Sequence, residues 1–94
     1  MRRPVDYDVR YQINPWIDVS RTPEKGLAVK QWSNLHHHII RLGGWVEYVP
    51  HAVGWPDMVF TANAGLVRGR KVVLAKFRHP ERAGEEGYYR EWFE

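Results

Sequence analysis

Cysteine is absent from the 94 residues. That excludes a disulfide framework, a thiolate metal site and a cysteine nucleophile within this chain. Long apolar runs are absent too. None approaches the ~20 residues that a membrane span needs, and Met1-Arg2-Arg3-Pro4-Val5-Asp6 has no apolar stretch behind its charges, so no signal peptide is expected. No Gly-x-Gly-x-x-Gly run opens a helix, and no Gly-Lys-Ser or Gly-Lys-Thr occurs, so no phosphate loop is expected. An excess of one charge is also lacking: 14 Lys and Arg stand against 11 Asp and Glu, net +3. That balance is too mild to point to nucleic acid. No cofactor, metal, membrane or nucleic-acid partner is expected, and the default compartment is cytoplasmic.

What is present reads as one small globular domain over residues 1–94, with 44% hydrophobic and 27% charged residues. A chain of this length buries only roughly 60–65% of its unfolded surface, so its own core is thin. Five Trp, five Tyr and three Phe are spread through every segment, which suits a core or an interface better than a base-stacking platform. Arg68, Arg70, Lys71, Lys76 and Arg78 form one locally basic stretch, most simply a solvated hairpin.

Residues 7–13 alternate, with Tyr7, Val9, Tyr11 and Ile13 on one face, and predict a half-buried strand ended by Asn14-Pro15. Thr22-Pro23-Glu24 predicts a helix start capped by the Thr22 hydroxyl. Ala28, Trp32, Leu35, Ile39 and Leu42 follow at steps of four and three, and Gly43-Gly44 stops the pattern, giving a helix over about 23–42. Short strands are predicted over 45–49 and 57–62. A hairpin over 66–76 turns at Gly69-Arg70. A closing amphipathic helix begins near 86, but its aromatics Trp92 and Phe93 have no obvious place to pack. The order implies an α/β fold with an open sheet edge, which favours self-association or an obligate partner.

Few residues suggest chemistry. His36-His37-His38 are adjacent, and neighbouring helix positions point ~100° apart, so the three do not converge on one ion. Asp57 opens and Asn63 closes the apolar run Met58 to Thr61. Either they face a ligand or they serve local turns. Arg82 lies in the polar, proline-broken segment 77–86, where a guanidinium could fork onto a carboxylate. The plain alternative is an exposed loop with Glu–Arg pairs of little energy.

Three stretches carry a resemblance: Ile13-Asn14-Pro15-Trp16, then PDMVFTANAG over residues 56–65, then FRHPERAGEE over residues 77–86. In order and spacing, they are similar to the amino-terminal part of the guanidino-modifying enzymes. That family includes dimethylarginine dimethylaminohydrolases, glycine amidinotransferases, arginine deiminases and, nearest, bacterial arginine dihydrolases. The resemblance implies a five-bladed α/β propeller (the pentein fold), of which this chain would hold about one ββαβ module and the start of the next. It implies an arginine-like substrate, with Asn63 near the guanidine group and Asn14 and Arg82 at the amino-acid end. Asp57 and Phe60 would line or support the pocket. It also implies a catalytic cysteine and histidine lying beyond this stretch, so the chain by itself is expected to hold no complete active site. A free-standing interaction module that completes its sheet with a partner stays open as a reading.

Overall fold

A carboxylate, not a hydroxyl, starts the long helix. In the computed structural model, which describes residues 1–94, α1 spans Lys25–Arg41, and the Glu24 side chain accepts from the N–H groups of Gly26 and Leu27. Two orphan donors are thus satisfied beside the positive end of the helix dipole. The expected Thr22 cap is displaced by two residues, because Glu24 reaches both donors itself. At the other end Gly43 takes φ +82°. Its N–H donates to Ile40 O and that of Gly44 to Ile39 O, the left-handed glycine ending that the sequence suggests. The apolar stripe is only partly covered. Ala28, Trp32 and Ile39 are half-buried, while Leu35 and Leu42 are exposed, and no α1 residue is fully buried.

Strand pairing is confined to one hairpin. β1 (Gly65–Arg68) pairs antiparallel with β2 (Lys71–Leu74), with Arg68 opposite Lys71 and Gly65 opposite Leu74. Gly69, at φ +59°, takes the positive φ that such a two-residue turn requires. The expected strand over 7–13 is not formed. Its alternation persists in burial, with Tyr7, Val9, Tyr11 and Ile13 half-buried and Arg10 and Gln12 exposed, but the segment has no ladder partner. The expected strand over 45–49 is likewise absent. Its contact is instead with the N-terminus, through Val49 N–H donating to Met1 O and the Met1 amino group to Glu47 O.

The expected buried strand over 57–62 is also overturned. Two 3-10 turns replace it, Pro56–Val59 and Thr61–Asn63. Pro56 fixes the first φ of a turn, and bonds such as Phe60 N–H to Asp57 O and Asn63 N–H to Phe60 O satisfy the backbone locally. Met58 is fully buried, whereas Phe60 is 47% exposed. A continuous apolar run has no period, so strand and tight turn were not separable there.

The segment expected as a loop after Phe77 contains one helical turn, α2 (Pro80–Ala83), followed by α3 (Glu85–Phe93). The terminal aromatics do find partners. Tyr89 is buried and donates to Met58 O at 3.1 Å, Phe93 packs against the core, and Trp92 Nε1 donates to Tyr48 O. The core itself comprises Val49, Ala52, Met58, Ala64 and Tyr89, flanked by Trp55, Leu74, Phe77 and Phe93. Only nine of 94 residues are buried. One of them is Arg2, whose guanidinium donates to Ala52 O and Trp55 O and pairs with Asp6. It ties the N-terminus to the loop that enters the Asp57 turn.

Gly84 joins α2 to α3 against the Trp55 ring, and a Cβ there would lie 2.1 Å from Trp55 Cη2 and Cζ2. Gly84→Ala must therefore displace a ring packed on the core, at a cost of about 1–3 kcal/mol. The expected outcome is a lower urea midpoint; an unchanged midpoint counts against this packing.

Candidate functional site

The site is built by the 3-10 turns on one side and α2 with the start of α3 on the other. α2 carries Arg82 on its inner side, and its guanidinium is the hub. Nε donates to Glu85 Oε1 at 3.0 Å and Nη2 to Glu85 Oε2 at 2.7 Å. Nη2 also donates to Asp57 O at 3.3 Å, and Nη1 to Asn63 Oδ1 at 3.1 Å. The Phe77 ring centroid lies 4.3 Å from the guanidinium carbon, within cation–π range. The Arg82 and Glu85 side chains are 11% and 0% exposed. This is a buried ion pair, which overturns the plain alternative of a solvated Glu–Arg loop. Losing one partner of such a pair costs about 3–5 kcal/mol, because the other is left as an uncompensated buried charge.

Burial alone would lower the Arg82 pKa. The Glu85 hydrogen bond and charge, joined by the Asp57 charge, more than offset it and hold the pKa above its ordinary value. Glu85 occupies the first turn of α3, where the helix dipole favours a carboxylate. Asp57 is held in turn: Tyr11 Oη donates to its Oδ2 at 3.0 Å, and Arg82 Nε lies 3.9 Å from the same oxygen.

Of the five residues singled out from sequence, Asp57, Asn63 and Arg82 come together. Phe60 borders them. Its ring meets Tyr7 edge-on at 5.7 Å and, with Asp57, Tyr11 and Ile17, lines a cavity of about 90 Å³. Asn14 does not join. Its Oδ1 accepts from the N–H groups of Trp16 and Ile17 in its own turn, a local use that Asn before such a turn commonly has. Nor is Asp57 a simple turn cap, since its side chain bonds Tyr11 rather than a turn N–H. A larger cavity, about 450 Å³, is lined by Arg2, Arg3, Val5, Tyr48, Val49 and His51. It shares no residue with this cluster. His36 stacks on Trp32 and meets Tyr48 Oη at 2.6 Å, while His37 and His38 are exposed.

Sequence reasoning missed Tyr11 and Glu85. The signal for Glu85 was available. Arg82 and Glu85 are three apart, as are neighbours on a helix face, and Glu85 lies four residues before the buried Tyr89. Tyr11 gave no signal beyond its place in an alternating run.

Similarity to known proteins extends over nearly the whole chain. Over 92 residues the chain is 52% identical to the bifunctional arginine dihydrolase/ornithine cyclodeaminase ArgZ of Synechocystis, covering 97% of this chain and 13% of ArgZ. It is 44% identical over 92 residues to the dimethylarginine dimethylaminohydrolase of Mycobacterium tuberculosis, covering 98% of this chain and 30% of that enzyme. Over nearly its whole length the chain is thus similar to part of the arginine dihydrolases and of a dimethylarginine dimethylaminohydrolase, as the resemblance in sequence implies. It spans less than a third of the length of either relative. The crystal structure of the N-terminal domain of ArgZ bound to product superposes with a TM-score of 0.88 at 50% identity, over 99% of this chain and 34% of that one. The complex of an AgrE mutant with L-arginine gives 0.87 at 48% identity, over 99% of this chain and 14% of that one. No family model matches the chain.

Buried Tyr89 and half-buried Tyr11 set a pH response. Tyr89 is pushed up to about 12 by burial and then by the Glu85 charge. Tyr11 is pushed above the usual tyrosine range by burial, then by the charge and hydrogen bond of Asp57. The folded state holds these protons when the unfolded chain, at its ordinary 10.0, has released them. Stability from this source is therefore full below pH 10 and falls as pH rises toward about 12. Urea midpoints should decline across that window, and Tyr89→Phe should flatten the decline by on the order of 2 kcal/mol. A flat profile in the unsubstituted chain would contradict the burial of these hydroxyls.

Proposed function

We propose that the chain forms the amino-terminal, substrate-contacting part of an arginine-type guanidino hydrolase, and that by itself it is a cradle without a nucleophile. The observation that carries this reading is the Arg82 Nη1 to Asn63 Oδ1 contact at 3.1 Å, beside Asp57. It places an amide and a guanidinium with opposite ligand preferences on one floor. Asn63 keeps an acceptor lone pair for a guanidine group and Arg82 a donor for a carboxylate. Phe60 and Asp57 wall the site, and Asn14, held in its own turn by the N–H groups of Trp16 and Ile17, stays outside it. The relatives add support: an AgrE mutant is bound to L-arginine and the ArgZ N-terminal domain to its product. Family chemistry needs a thiolate to attack the guanidinium carbon, and this chain has no cysteine.

In an amide-resolved NMR titration, L-arginine should shift Asn63, Phe60 and the Arg82 turn with millimolar affinity, since the floor is open to water. No ammonia, citrulline or ornithine should be released. Shifts confined to the Tyr48–His51 cavity overturn the assignment, and product release abolished by Asn63→Ala overturns the claim of inactivity.

The same reading makes the chain a propeller module whose outer surfaces are covered by further polypeptide, within a cytoplasmic enzyme. It is supported by a five-residue core and by exposure of Leu66 at 74% and Val73 at 71%, directly opposite each other on the hairpin. Sedimentation or light scattering of the isolated chain should show self-association. A monodisperse monomer with a sharp transition above ~65 °C, the upper range for mesophile domains, would count against it.

A further inference from the structure

We propose that Glu85 is a positioning residue that occupies the two-pronged edge of Arg82, so that Arg82 meets a ligand carboxylate end-on, through a single Nη1 hydrogen. The inference rests on the arginine-type cradle proposed above and specifies how that cradle reads the acid end of its ligand.

The argument is a donor inventory. A guanidinium has five N–H groups. Nε–H and one Nη2–H go to the two Glu85 oxygens, the second Nη2–H to Asp57 O, and one Nη1–H to Asn63 Oδ1. One Nη1–H remains. The edge formed by Nε and Nη2, which in an open Arg would fork onto a ligand carboxylate, is taken by a Glu85 side chain with no solvent exposure. Phe77 covers one face of the guanidinium at 4.3 Å. Turning the edge toward a ligand would strip a buried carboxylate of its partner.

Asn63 is exposed, and its Oδ1 is held by Arg82 while its Nδ2 makes no hydrogen bond. A carboxylate arriving at Nη1 therefore takes one bond from Arg82, where a free Arg82 would have supplied two, and Asn63 is left for the guanidine end of the ligand. A ligand lacking the carboxylate forfeits one charge-assisted bond from Arg82, a loss of roughly ten- to a hundredfold in affinity.

The test is side-chain NMR on the 94-residue chain, comparing L-arginine with decarboxylated arginine. The Arg82 Nε–H should exchange with water at least tenfold more slowly than that of exposed Arg70, and should stay in place as L-arginine shifts the Asn63 amide hydrogens. Decarboxylated arginine should bind at least tenfold more weakly. In Glu85→Gln the Nε–H exchange should rise toward that of Arg70 and L-arginine should now shift the Nε–H, with Glu85→Asp restoring part of the protection. Fast Nε–H exchange in the unsubstituted chain, or a ligand-induced Nε shift as large as that of Asn63, overturns the proposal. Slow exchange with no response anywhere to L-arginine supports the clamp and overturns the cradle reading instead. Should Glu85→Gln fail to fold, exchange and titration in the unsubstituted chain decide alone.

Discussion

The buried pair between Arg82 and Glu85 is the constraint on which the functional end of the molecule depends. It closes a short loop between α2 and α3, and it brings the guanidinium down onto the carbonyl of Asp57 and the amide of Asn63. The two 3-10 turns would otherwise touch α3 chiefly through Tyr89 and Met58. One charged contact thus sets the angle of a short helix and closes the floor of a pocket. Its cost is desolvation, offset by four hydrogen bonds and an aromatic face. Every buried side-chain polar atom has a partner, so the network is complete as it stands.

Around that point the architecture is light. A hairpin, a long helix with no buried residue and a core of five side chains leave much apolar surface uncovered. Long-range polar ties do much of the joining: Arg2 to the carbonyls of Ala52 and Trp55, Trp92 to Tyr48, Tyr11 to Asp57. Such ties fix relative placement well and contribute modest net stability each.

The sequence was legible where local rules act alone. The spacing from Ala28 to Leu42 with the glycine stop gave α1 within a few residues, and Gly69-Arg70 gave the hairpin turn and its register. It was illegible where a partner decides. Residues 7–13 alternate as a strand does, yet a strand needs a neighbouring ladder. Residues 57–62 are apolar without period, and Pro56 turned them into tight turns. At the site, the family motifs singled out Asp57, Asn63 and Arg82, which do meet. Asn14 was drawn into its own turn by a donor pair two and three residues on. Glu85 escaped because a Glu in a polar segment reads as solvent-facing until α3 turns it inward.

The inventory of formal charges in the cluster has a consequence for any ligand that carries both signs. One guanidinium faces two carboxylates, Glu85 and Asp57. Glu85 is sealed away, so the uncompensated negative charge sits at the Asp57 end, while the one spare hydrogen of Arg82 sits at the Asn63 end. The floor is therefore a small dipole laid along the pocket. A zwitterion drifting over it feels a torque before it feels a contact: its cationic end swings toward Asp57 and its acid end toward Arg82. Orientation precedes binding, whereas an ion of single sign feels no torque, only the attraction or repulsion of the cluster's net negative charge.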